Sequence, residues 1–316
     1  MLKRILKFSF PPMLALSLAP CPGFAENPSV ETLTAASHRE LSAFFATLDY
    51  NWESVTEGVP PIILQTLPSD LPEIRQPDEK KEIFFLTLLP MVLLANEEIS
   101  RKRQDLEAIF AASDQGGLIA QEDRQRIATI GAEYAVEQDP LMDIEGRKRL
   151  LQRLDIIPPS LVLAQAANES GYGTSRFALL GNNLFGEWTF AAGTGIVPIN
   201  RPDNQTYEVR RFPSLYASLK SYMKNLNTHW AYRSFREQRA QMRAAGIPLR
   251  GVDLASGIES YSIRGKDYVR DIRTIIRRNR LHLVSSATLR DAPATTGAGL
   301  LSSRLNQPSR RTPAQP

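Results

Sequence analysis

The sequence is poor in the side chains on which most cofactor and nucleophile chemistry rests. Of 316 residues, one is cysteine (Cys21) and three are histidine. A single cysteine cannot close a disulfide within the chain. His38, His229 and His282 lie far apart and in no metal-ligand spacing, so no metal site is expected. There is no Gly-rich phosphate loop of the required form, and no serine stands in a nucleophile-elbow pattern. The chain has no internal repeat. Charge of one sign is also scarce. The 38 basic residues barely exceed the 34 acidic ones, and three of the basic residues are Lys3, Arg4 and Lys7 at the very start. The rest of the chain is close to neutral, which gives no argument for nucleic acid as a partner. Carboxylates are what remain for chemistry, and no cofactor is implied.

The first 25 residues have a basic start, a short apolar segment and a small-residue end at "GFA". That is the layout of a secretory signal, so the protein is expected to be exported, to the periplasm or cell envelope. Pro11 and Pro12 break the apolar segment, which is too short for a permanent span. Cleavage after Ala25 would leave a mature chain without cysteine. Cys21 follows "SLAP", loosely like a lipoprotein signal, although Pro20 fits poorly there. Lipid anchoring stays open on sequence alone.

Periodicity predicts a mainly α protein. Residues 26–135 read as an N-terminal helical region. Its first helix, at about 38–55, has Leu41, Phe44, Phe45 and Leu48 on one face. The stretch "EGVPPIILQTLPSDLPEIRQPDEK" holds five prolines and reads as an extended connector, one that could lie over a cleft. A helix at about 79–113 follows. Its core, "IFFLTLLPMVLLANEEI", is apolar nearly all round and should be buried. As a membrane span it is too short and is interrupted by Pro90. Residues 136–284 read as a second helical unit with helices at about 141–155, 214–227, 232–245 and 267–283. A small β lobe is expected within 189–212. "SFREQRAQMRAAG" and the arginines at 270, 273, 277 and 280 read as solvated basic faces. The tail, 285–316, lacks any period and reads as disordered.

Glu169 has the most telling surroundings. Pro158 and Pro159 open a helix of Leu161, Leu163, Ala164, Ala166 and Ala167 that ends at this one carboxylate. The helix dipole disfavours negative charge at a C-terminus, and partial burial disfavours it again. Both raise the carboxyl pKa, as a general acid near neutral pH requires. Gly171 and Gly173 then permit a sharp turn. Asn182 and Asn183 offer amides to a polar ligand, and Phe185 and Trp188 offer flat faces to sugar rings. Each feature has a plainer reading: a solvated Glu at a helix end, a turn at "GNN", and two core aromatics.

"AANESGYGTSRFALLGNNLFG" resembles the bacterial glucosaminidases of glycoside hydrolase family 73, and residues 139–283 are similar to that whole catalytic domain. "KKEIFFLTLLPMVLLANEEISRKRQDL" resembles the N-terminal helices of the Bax-like branch. The resemblance implies a lysozyme-like helical fold with a small β lobe and cleavage of β-1,4 bonds in peptidoglycan glycan strands after N-acetylglucosamine. It implies no cofactor, and the chain is expected to act as a monomer. Glu169 would be the general acid. Glu208, in "TYEVRRF", matches best as a second carboxylate, with Glu187 ranked below it. Glu208 can also be read as an ordinary exposed charge beside Arg210 and Arg211. Tyr261 would take part in catalysis and Tyr268 would be structural. Tyr172, Asn182, Asn183, Phe185 and Trp188 would bind substrate. A lytic transglycosylase and a non-catalytic wall-binding protein are the rival readings. "NNLFG" stands where many transglycosylases carry Gly-Leu-Met-Gln.

Overall fold

The computed structural model describes residues 30–290. The proposed signal segment, Cys21 and most of the tail lie outside these residues. In chain order, strand β1 (Glu31–Leu33) and helix α1 (His38–Thr47) are followed by strand β2 (Ile62–Leu64) and the long helix α2 (Pro77–Asp114). Helices α3 (Gln121–Glu133), α4 (Ile144–Arg153), α5 (Pro159–Ser170) and α6 (Arg176–Gly181) come next. The β lobe holds β3 (Trp188–Thr189), β4 (Gly195–Ile196) and β5 (Glu208–Arg210). Helices α7 (Leu215–Thr228), α8 (Arg233–Ala244), α9 (Gly251–Leu254) and α10 (Lys266–Arg278) complete the order. The protein is mainly helical with two small sheets, as the lysozyme-like class requires.

Helix α2 is the spine. Every residue from Ile83 to Asn96 is buried, so the apolar circumference seen in the sequence is satisfied by protein on all sides. By length and composition this helix could cross a membrane, but most of its apolar stretch is buried within the fold. The sequence reading that Pro90 interrupts it needs correction, because the helix runs straight through. Proline lacks the N–H that would bond the carbonyl four residues back. That carbonyl belongs to Leu86, and the buried Tyr50 hydroxyl donates to it at 3.1 Å. A side chain from the N-terminal region thus replaces the missing backbone donor.

The proline-rich stretch is not an extended connector. Val59, Ile62, Leu64, Leu67, Leu71 and Ile74 are all buried. β2 pairs in parallel with β1, with Thr32 opposite Ile63. Proline fixes the path while the intervening apolar residues enter the core, so composition alone mistook a wrapped segment for a linker. The sequence boundary at 285 is also too early. Val59 N–H donates to the Thr288 carbonyl and Arg290 N–H to the Val59 carbonyl, both at 2.8 Å. Residues 285–290 are therefore bound to the N-terminal region.

The α8 face expected to be solvated is partly core. Arg236 and Arg239 are buried. Arg239 donates to the carbonyls of Gln152, Asp155 and Ile156 and to Asn227 Oδ1, at 2.8–3.1 Å. Asp155, itself buried, pairs with Arg243. Burial pushes the Asp155 carboxyl up, but the Arg243 hydrogen bond and the charges of Arg239 and Arg103 hold it below the ordinary range. This cluster fixes the chain at its entry into α5.

Replacing Tyr50 with Phe should strip the Leu86 carbonyl of its partner and lower unfolding free energy by about 1–3 kcal/mol, read by denaturant titration. Pro90→Ala restores a backbone donor to the same carbonyl. The double variant should therefore lose less than the two single losses summed, and simple additivity would refute the pairing.

Candidate active site

α5 carries its only acidic side chain at the end that reaches the surface. Its residues 160–167 are all buried, and Gly171 caps it in the left-handed region at φ 59°. Tyr172 (φ 55°) and Gly173 (φ 78°) follow in the same region. Three successive left-handed residues turn the chain away at once, and the non-glycine Tyr172 among them carries backbone strain. Ser170 closes the turn: its hydroxyl donates to the Ala166 carbonyl and accepts from Gly173 N–H. A Cβ on Gly173 would meet Leu67 at 2.8 Å and Leu71 and Phe84 at 3.0 Å. The turn after Glu169 thus rests directly on the proline-rich segment and α2.

Glu169 is half-buried. Its Oε1 accepts from Tyr268 Oη at 2.9 Å and from Asn168 Nδ2 at 3.1 Å. Burial pushes its carboxyl above the ordinary range, against those two hydrogen bonds and the charge of Arg264. Tyr268 belongs to a buried polar chain. Its hydroxyl accepts from Gln165 Nε2 at 2.9 Å, and Gln165 Oε1 in turn accepts from Tyr222 Oη. Gln165 lies one helical turn before Glu169 on α5, so both point to the same side. The sequence reading passed over Gln165, although a lone amide in "LVLAQAANES" was a visible signal.

The structure places Tyr268 directly against the Glu169 carboxyl and Tyr261 one ring behind it. Tyr261 donates to the Phe185 carbonyl at 3.0 Å and lies stacked on Tyr268 with ring centroids 5.5 Å apart. Its phenol is pushed well up by burial and by the charges of Glu169 and Glu187.

The β lobe is a three-stranded antiparallel sheet in the order β3-β5-β4, with Thr189 opposite Glu208. Glu208 is not an exposed charge. Its two oxygens accept from Gly193 N–H at 3.0 Å and Gly195 N–H at 2.7 Å, and these bonds hold its carboxyl below the ordinary range. Glu187 bridges the lobe to α7, pairing with Arg210 and accepting from the Ser221 hydroxyl at 2.7 Å.

Several expected ligand contacts are used internally. Asn183 Nδ2 donates to the Glu187 and Arg210 carbonyls, and its Oδ1 accepts from the N–H groups of Phe185 and Glu187. Its capacity is filled by the lobe it shapes. Asn182 sits at φ 51° as the cap of α6 and donates to the Phe212 carbonyl. Phe185 is buried and stacked on Tyr222 at 3.8 Å, so it is core and not a sugar platform. Tyr172 packs edge-on against Phe84 and Phe85, which makes it an anchor for the loop. Trp188 keeps a ligand-like placement, half-buried and stacked on Tyr207 at 4.3 Å. Among the described residues, no group of three or more His, Cys, Asp or Glu is placed to hold a metal.

A carboxyl lifted by burial, a second carboxylate on a β lobe and a stacked aromatic pair on a lysozyme-like helical frame are features of the glycosidase class. Comparison with known proteins narrows it. Residues 146–281 match the glucosaminidase family model, described as mannosyl-glycoprotein endo-beta-N-acetylglucosaminidase. The chain is 32% identical to the protein bax of Escherichia coli (strain K12) over 203 residues, covering 63% of this chain and 71% of that protein. No solved structure gives a significant match. The chain belongs to the glucosaminidase family, in its Bax-like branch, and is related to the glycosidases that act on peptidoglycan.

The pKa direction at Glu169 carries a stability consequence. A carboxyl raised in the folded state contributes stability that is present at low pH and lost as pH rises through its folded value. Glu169→Gln should therefore have a higher Tm than the wild type near neutral pH, and the two should converge below about pH 4, where the carboxyl is protonated in both states. A constant offset across that range would show that ionisation of Glu169 carries no such penalty.

Proposed function

We propose that the protein is an endo-beta-N-acetylglucosaminidase that hydrolyses the β-1,4 bond after N-acetylglucosamine in peptidoglycan strands, with Glu169 as general acid. One observation carries the reading: the Glu169 carboxyl is lifted by burial yet held in position by the Tyr268 hydroxyl. A general acid has to keep its proton near neutral pH and aim it at the leaving oxygen. Glu208 is the complementary group. Its backbone amide donors favour the ionised form, and divergent environments for two carboxyls suit an acid and base pair. In this mechanism Glu208 activates water on the far face of the sugar while Glu169 protonates the glycosidic oxygen, giving inversion. Tyr261, stacked beneath Tyr268, positions that phenol. Trp188 with Tyr207 supplies an apolar face for a sugar ring. The basic, then apolar, first 25 residues support action on the exported side of the membrane.

The deciding experiment is digestion of purified peptidoglycan by the wild type and by Glu169→Gln, with borohydride reduction and mass spectrometry of the fragments. Reduced N-acetylglucosamine ends are expected from the wild type alone. Anhydro-muramyl ends would assign a transglycosylase, and binding of the polymer without cleavage by either protein would assign a wall-binding role. Retention of anomeric configuration would replace Glu208 with attack by the substrate's own 2-acetamido group.

Tyr268→Phe tests the tuning of the acid. The Tyr268 hydrogen bond favours the ionised Glu169, so its loss should raise the carboxyl pKa further. The alkaline limb of the rate profile should move to higher pH. A change in rate with both limbs in place would reduce Tyr268 to a packing residue.

A further inference from the structure

A cavity remote from Glu169 has a charge pattern that folding alone does not explain. It lies between α4 and α8 and encloses about 360 Å³. Lys148, Arg149 and Arg153 line it from α4, and Arg233 and Arg236 line it from α8. Only Glu145 and Glu237 oppose these five cations at the cavity wall. Glu237 takes the Nε of Arg233 at 2.7 Å, and Glu145 stands 3.7 Å from Lys148.

The other three guanidinium groups are held by uncharged acceptors. Arg236 Nη1 donates to the carbonyls of Leu226 and His229 at 2.8–2.9 Å. Arg153 Nη1 donates to those of Tyr134 and Ala135 at 2.6–2.9 Å. Arg149 Nη1 donates to Gln138 Oε1 at 2.9 Å. These contacts fix the position of each fork through one nitrogen on an uncharged acceptor, and the charges of Glu137 at Arg153 and Glu237 at Arg236 offset the cluster only in part. Arg153 and Arg236 do close the C-terminal ends of α3 and α7, a structural duty. That duty accounts for neither Arg149 nor Lys148, and it does not require the forks to converge on one cavity. Burial, with repulsion from Arg153 and Arg239, pulls Arg236 down to about 10. Burial and Arg149 lower Arg153 as well.

The geometry points to an oxyanion-binding site in this cavity, for a multiply charged phosphate or carboxylate ligand held by the Arg149, Arg153 and Arg236 forks with Lys148 at the rim. A guanidinium fixed along one edge presents its remaining N–H groups as a pre-set fork for two oxygens. The site is distinct from the catalytic one. Arg239, on the turn of α8 after Arg236, holds the chain just ahead of α5, whereas Glu169 lies at the far end of that helix. A helix of 12 residues separates the two by about 18 Å. The inference therefore does not depend on the proposed reaction.

Isothermal titration calorimetry of the full chain with sodium pyrophosphate, and separately with citrate, tests it. Saturable binding that weakens with added salt is expected from at least one, and the tighter of the two identifies phosphate or carboxylate as the recognised group. The rim variant Lys148→Gln with Arg149→Gln removes two exposed charges, leaving the buried forks in place. It should bind about tenfold or more weakly, with its Tm in the absence of ligand unchanged. Glu169→Gln should bind as the wild type does. Failure of both anions to saturate the wild type, or equal affinity in the rim variant, would overturn the site.

Discussion

The structure depends on one constraint: a carboxylate must be delivered to the surface at the end of a helix whose every other contact is buried. α5 satisfies it by being small and apolar along residues 160–167 and by ending abruptly. The rest of the fold serves that helix. At its start, Arg239 gathers the carbonyls of residues 152, 155 and 156. At its end, Gly173 lets Leu67, Leu71 and Phe84 approach so closely that a Cβ there would force Leu67 to move and crowd the other two. A rigid support at each end leaves Glu169 little freedom except at the carboxyl itself. There the phenol of Tyr268 supplies the last restraint. Preorganisation of this kind is what the proposed acid role requires, since a held side chain need not reorganise at each turnover.

The N-terminal region then has a mechanical part to play. The loop that turns away after Glu169 rests on α2 and the proline-rich segment, and Tyr172 inserts its ring beside Phe84 and Phe85. The segment is in turn tied to residues 288–290 through Val59. Sequence-distant pieces therefore meet behind the loop that follows Glu169. The left-handed strain at Tyr172 persists because the surrounding packing determines it.

Much of this was legible in the sequence. Helix positions followed from apolar period, and proline at 158 and 159 marked the start of α5. The position of Glu169, at the end of an apolar helix and before two glycines, was enough to single it out. What the sequence did not show has one cause. Asn183 and Phe185 suit a sugar by type, and the family resemblance adds Tyr172, yet local pattern does not reveal where a polar or aromatic group finds its partner. Asn183 finds four in the β lobe. Phe185 finds Tyr222, 37 positions along the chain. Tyr268 and Gln165 meet across 103 positions, a separation at which periodicity carries no information. Proline content likewise signals a restricted backbone path, and whether that path crosses solvent or core is decided by tertiary contacts such as those of Leu67 and Leu71.

The same logic explains the contrast between the two charged regions. At Glu169, charge is discouraged by burial, and the two neutral hydrogen-bond donors and the charge of Arg264 offset that only in part. Around Asp155, charge is admitted in full, because Arg103, Arg239 and Arg243 surround one carboxylate. A buried carboxylate next to fixed cations is a structural clasp, whereas one next to phenol and amide has the raised pKa that the proposed acid role calls for. The helix that joins them has the clasp at its entry and the raised carboxyl at its exit. Shifts in opposite directions at the two ends of α5 are what the proposed mechanism asks of the scaffold: one carboxyl that holds the fold together and another that can give up a proton.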